Sequence, residues 1–78
     1  MDNLDYSTIK AAEEGNAIVI RLYEKVGLLT QAKIRIDLDL VNVNLVNIAE
    51  EHLKEIGTTR EFELVFKPYE VHTIKIQL

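Results

Sequence analysis

The chain predicts an all-β fold, a small antiparallel β-sandwich of about six strands, and three observations predict it. Residues 31–40 alternate polar and apolar side chains without a break, a period of two that suits a strand and would scatter the apolar residues around a helix. Short β-branched runs recur between turn signals along the chain. No stretch carries the apolar stripe of an amphipathic helix, so two sheets have only each other to cover their inner faces.

The elements follow in order. Residues 4–12 mix Tyr6, Thr8 and Ile9 with charge and read as an edge strand, stopped by the turn signal Glu13-Glu14-Gly15-Asn16. Residues 17–23 are nearly continuous in aliphatic side chains, as expected of a central strand buried on both faces. Alternation puts Arg21 on the face of Val19 and Tyr23, where its guanidinium is expected over a tyrosine ring or against a carboxylate within the sheet. After a loop over 24–30, the strand 31–40 turns Ala32, Ile34, Ile36, Leu38 and Leu40 to the core and Gln31, Lys33, Arg35, Asp37 and Asp39 to solvent or a partner.

Residues 41–48 form a second β-rich run, bent near Asn42. Over 49–57 local propensity turns helical, with Leu53 and Ile56 on one side of a single turn that Gly57 ends; in a sheet protein this length reads as a structured loop. Residues 60–66 alternate again, placing Phe62, Leu64 and Phe66 on one core face. Only Lys67-Pro68 separates them from a closing strand that runs to Leu78, so the two are expected to form a final hairpin. In the closing strand His72 shares a face with Ile74, Ile76 and Leu78 and should be packed or partly buried.

Seventy-eight residues make one domain, and a domain of this size buries roughly 60% of the surface its unfolded chain exposes. With no cysteine there is no disulfide and no thiolate metal site. The missing staple points to packing against more protein. The net charge of −4 repels phosphate backbones and anionic lipid, which argues against nucleic-acid and membrane partners. There is no apolar run of the ~20 residues needed to span a bilayer and no signal-peptide pattern at Met1-Asp2-Asn3-Leu4-Asp5, so a cytoplasmic location is expected.

Catalytic constellations are scarce. Asp37 and Asp39 would sit about 6.6–6.8 Å apart on one strand face, a spacing used in glycoside hydrolysis, but Lys33 and Arg35 continue the row and make it a solvated face of mixed charge. Asp37-Leu38-Asp39-Leu40-Val41-Asn42 lacks the glycine and terminal glutamate of a calcium loop. Glu51, His52 and Glu55 have no diagnostic metal spacing and read as solvated. Ser7 has no histidine or glycine-rich elbow beside it, and Gly15, Gly27 and Gly57 are isolated rather than a phosphate loop. Without tryptophan, and with both phenylalanines in the core, at most Tyr6, Tyr23 and Tyr69 remain to stack on a sugar.

Several stretches can nevertheless be taken together: Ala12-Glu13 ahead of a turn, Arg21-Leu22-Tyr23-Glu24, Asn47-Ile48-Ala49-Glu50-Glu51, and Pro68-Tyr69-Glu70-Val71-His72-Thr73. In this order and spacing the chain resembles, from about Leu4 to Leu78, the extreme C-terminal β-sandwich lobe of the retaining α-mannosidases of glycoside hydrolase family 38. Ala49, His72 and the apolar loop 26–30 depart from that pattern, and the loop reads as a contact surface.

The resemblance implies a parent enzyme that hydrolyses α-linked mannose with a zinc ion and an aspartate nucleophile, all in an N-terminal catalytic domain that nothing here aligns with. This chain is then not an enzyme by itself and holds no cofactor, catalytic residue or metal ligand. It would pack against the catalytic domain and other β-domains, stabilise the enzyme and shape a wall of its substrate groove, with Arg21, Glu50 and Glu51 as domain-contact residues. The alternative is a stand-alone β-sandwich that binds a carbohydrate or a protein, as a homo-oligomer joined through an open sheet edge or the 26–30 loop.

Overall fold

The computed structural model describes residues 3–12, 15–47, 49 and 51–78. Within them the chain forms seven strands and no helix: β1 (Leu4–Ala11), β2 (Ala17–Glu24), β3 (Thr30–Arg35), β4 (Asn42–Val46), β5 (His52–Gly57), β6 (Glu61–Phe66) and β7 (Val71–Gln77). They make two antiparallel sheets. A large sheet runs β1-β2-β7-β4-β5, and a small one consists of β3 and β6 alone.

The closing strand is the middle of the large sheet. β7 pairs with β2 on one side and β4 on the other, which suits a run whose Thr73, Ile74 and Ile76 are all buried. Its inner face meets Phe62, Leu64 and Phe66 from β6 and Ala32 from β3, and with Val43 these residues form the core. Ile20, Leu22, Ile34 and Leu45 pack around that cluster.

Three expectations are corrected. The run from 60 to 78 is not a hairpin: β6 pairs only with β3 and β7 only with β2 and β4, so Lys67 to Glu70 is a corner that carries the chain between sheets. Alternation persists to Leu40, but the strand stops at Arg35. Its last rung is the Ile36 N–H to the Arg60 carbonyl, 2.7 Å, because the chain before β6 bends over 58–60 toward β5 and leaves the ladder. Ile36 and Leu40 still reach the core while Leu38 is exposed. Residues 52–57 are strand β5, not loop or helical turn; pairing with β4 overrides weak helical propensity, at the cost of two register irregularities. With β5 the strands number seven, and the small antiparallel β-sandwich of about six strands stands as expected.

The β4–β5 connection is closed by one side chain. Asn47 Oδ1 accepts from the Ala49 and Glu51 backbone N–H groups, both at 2.9 Å, while its Nδ2 donates to Glu51 Oε1 at 2.9 Å.

Candidate functional site

The densest polar arrangement is built at the corner where β2 leaves the large sheet. Glu24 ends β2 with a side chain only 1% exposed. Its Oε1 accepts N–H groups from Gly27 (2.6 Å), Leu28 (3.0 Å) and Tyr69 (3.0 Å). Its Oε2 accepts from the Val26 N–H (3.1 Å) and from Asn3 Nδ2 (2.9 Å). Burial pushes the Glu24 carboxyl up, but donation from Tyr69, Asn3, Gly27 and Val26 outweighs it and lowers the pKa from 4.5 to about 2. The carboxylate therefore stays ionised and cannot serve as a proton donor near neutrality.

Around it the chain is tied in two further ways. Asn3 Nδ2 also donates to Thr30 Oγ1 at 2.6 Å, which links the start of β1 to the start of β3. Tyr69 adopts a left-handed φ of 61°, and its hydroxyl donates to the Val26 carbonyl at 3.2 Å. A Cβ on Gly27, whose φ is +95°, would lie 2.8–2.9 Å from the Tyr69 ring, so only glycine fits beneath that ring without displacing it. The result is a fixed loop that holds large apolar side chains in solvent: Val26, Leu28, Leu29 at 71% and Tyr69 at 66% exposed. The sequence marked this loop as a contact surface; it did not single out Glu24, although Tyr23-Glu24 and Pro68-Tyr69-Glu70 are segments of the family-like pattern that meet here.

Of the named site residues, the described ones, Arg21 and Glu51, are not brought together. Arg21 lies on the outer face of the large sheet, opposite Thr8 on β1 and Thr73 on β7. Among the described residues its guanidinium makes neither the ring contact nor the carboxylate pair expected of it. Glu51 belongs to the Asn47 loop, and Glu50 lies outside the described residues. The carboxylates at 37 and 39 each answer a cation: Asp37 pairs with Arg35 at 2.7 Å, and Asp39 with Arg60.

His72 is partly buried as expected. Its ring packs edge-on to Phe66, centroids 4.6 Å apart. Nε2 lies 2.8 Å from the Val65 carbonyl, which can only accept, so Nε2 carries the proton; the same atom is 3.3 Å from Glu70 Oε1. A groove of about 290 Å³ between β5 and β6 has His72 on its wall beside Leu45, Ile56, Leu64 and Glu63.

Tyr6 and Tyr23 pair with Leu22 and Asp5 respectively and so project from opposite faces, while Tyr69 sits at the corner. They form no common platform. Among the described residues no three His, Cys, Asp or Glu side chains gather closely enough to hold a metal ion, and no helix is long and apolar enough to cross a membrane.

Fold and site together define a small two-sheet antiparallel β-sandwich domain whose dense polar centre is a corner that fixes an apolar loop. Residues 3–74 match the model of the glycosyl hydrolases family 38 C-terminal beta sandwich domain, and the chain belongs to that family. No curated protein and no solved structure matches it.

Proposed function

We propose that the chain is the non-catalytic C-terminal β-domain of an α-mannosidase, docked against the rest of a glycoside hydrolase that acts on α-linked mannose. One observation carries this reading. The residues of the family-like pattern are used by the fold itself: Glu24 and Tyr69 bond each other at the corner, and Asn47 and Glu51 close the β4–β5 loop. A domain that keeps its family pattern for corners is selected for its shape, and the shape presents Val26, Leu28, Leu29 and Tyr69 as an exposed apolar loop held fixed from beneath.

In this reading the loop packs on the parent enzyme, and Arg21 and Glu51 supply polar contacts at domain boundaries, as Glu50 does by its place in the pattern. Arg21 is suited to that role because it is half-buried and carries no carboxylate among the described residues. Zinc and the aspartate nucleophile belong to the retaining catalytic domain of the parent. The present domain stabilises that enzyme and forms a wall of its substrate groove.

The test is the size of the native polypeptide, detected in an extract of the source organism with an antibody against this segment. A band many times larger than the 9.0 kDa of the segment is expected. A band at 9.0 kDa, or mannoside hydrolysis by the isolated chain with added zinc, overturns the proposal.

A further inference from the structure

The two sheets are unequal, and the difference leaves a specific position open. β6 is the strand of the small sheet that approaches β5, so β3 lies toward β1 and β2, where Asn3 holds the start of β3. Beyond β3 nothing in the small sheet covers the inner face of β1. The register break between Tyr6 and Thr8 sets Tyr6 opposite Leu22 and Ile9 opposite Ile20, so both project from the face that carries the core. They are nevertheless 58% and 57% exposed.

The edge of β3 beside them has free backbone. The Ile36 N–H donates to the Arg60 carbonyl, one step beyond the Arg35↔Glu61 pair. In an antiparallel ladder alternate residues bond the same neighbour, so Ile34 and Ala32 bond β6, and Gln31, Lys33 and Arg35 direct their N–H and C=O groups away from it. Among the described residues no backbone bond outside the ladders involves those three. On the opposite edge of the small sheet, by contrast, the Val65 carbonyl is occupied by His72.

The outer face states what would fit. Gln31 and Lys33 meet acidic partners on β6 only, Glu63 at 2.7 Å and Glu61 at 3.3 Å. A strand on the other side of β3 lies beside Lys33 and Arg35, whose pairs with Glu61 (3.3 Å) and Asp37 (2.7 Å) are exposed and weakly held, so an acidic outward side chain on that strand can share either cation. Its inward side chains lie over Tyr6 and Ile9 and are favoured when apolar. A second copy adding β3 to β3 would set cation against cation, which disfavours that occupant.

We propose that the edge of β3 accepts one extended strand of alternating acidic and apolar residues, supplied by the rest of the glycoside hydrolase, which completes the small sheet over Tyr6 and Ile9. The apolar loop ends at Leu29, immediately before Thr30, so loop and edge form one continuous docking face. The inference rests on the docking-domain reading for the source of the strand, and on β3 itself for its chemistry.

The test uses the full chain with two capped synthetic peptides, one alternating Glu with Val and Ile, the other alternating Lys with the same residues. Binding and backbone amide exchange are read by NMR. The acidic peptide is expected to slow exchange of the Gln31, Lys33 and Arg35 amides by about tenfold or more, with resonance shifts at Tyr6 and Ile9. Lys33→Pro, which removes an outward N–H together with the Lys33 ammonium, is expected to abolish this, whereas Lys33→Ala, which keeps the N–H, is expected only to weaken it. The double change Lys33→Glu with Arg35→Glu guards against a folding defect in the proline variant and is expected to reverse the preference toward the basic peptide.

Equal binding of both peptides, protection mapped elsewhere, or binding that survives Lys33→Pro overturns the inference. So does concentration-dependent protection of these amides without peptide, which would make the occupant a second copy. Such failures leave the docking-domain reading intact, because that reading stands or falls on the size of the native polypeptide.

Discussion

The backbone N–H of Tyr69 donates to Glu24 Oε1 at 3.0 Å, across 45 residues of chain. Glu24 closes a strand of the large sheet, and Tyr69 lies in the corner that brings the chain back from the small one. A single carboxylate thus joins the two sheets at one end of the sandwich. The bond also explains the left-handed φ at Tyr69, a conformation that costs a bulky residue energy and persists where surrounding bonds over-determine it.

The Glu24 carboxyl has its pKa lowered from 4.5 to about 2 in the folded chain. Its stabilisation is therefore complete above the unfolded value and is lost as pH falls from about 4.5 toward 2, because the unfolded state takes up the proton first. Urea denaturation from pH 7 to pH 2 should show midpoints that drop most steeply in that window. Glu24→Gln should be less stable at neutral pH and show a flatter dependence below pH 4.5. Parallel curves for the two proteins would contradict this account.

Gly27→Ala should destabilise by about 1–3 kcal/mol, from the left-handed φ together with displacement of the Tyr69 ring and its bond to Val26. Gly15, at φ +75° with nothing near its Cβ position, should cost about 1 kcal/mol on the same change, from the backbone alone. Adding Tyr69→Ala should recover part of the Gly27→Ala loss and none of the Gly15→Ala loss. Thermal and urea midpoints of the six proteins (wild type, the three single variants including Tyr69→Ala, and the two double variants) measure this coupling.

Asn47→Ala should cost about 1 kcal/mol, since the bonds it removes are exposed and water replaces them in part. The informative readout is local: amide exchange at Ala49 and Glu51 should accelerate, while the β7 amides keep their protection.

Replacing Leu29 with Asp should change stability by no more than about 0.5 kcal/mol, as expected at a site 71% exposed. Phe66→Ala, at a fully buried site of the core, should cost about 3–5 kcal/mol. The contrast, measured by denaturation, separates side chains kept for the fold from the apolar loop kept for contact. If Leu29→Asp unfolds the chain, the loop is part of the core and not a docking surface.

The sequence alone determined the class of fold, because a period of two and the absence of a helical stripe are local properties. Phe62, Leu64 and Phe66 were legible as core and His72 as partly buried for the same reason, and the family was legible because its segments fall in order along the chain. Tertiary structure decided the rest. Alternation from 31 to 40 could not show that β6 gives out opposite Arg35, and helical propensity over 52–57 could not weigh the pairing that β4 offers. Whether the run before Pro68 pairs with the run after it depends on which sheet each joins, and both have the same pattern. Glu24 was illegible for a related reason. Its donors come from Asn3, from the loop it begins and from Tyr69, and a buried carboxylate is tolerated only where distant parts of the chain converge to bond it.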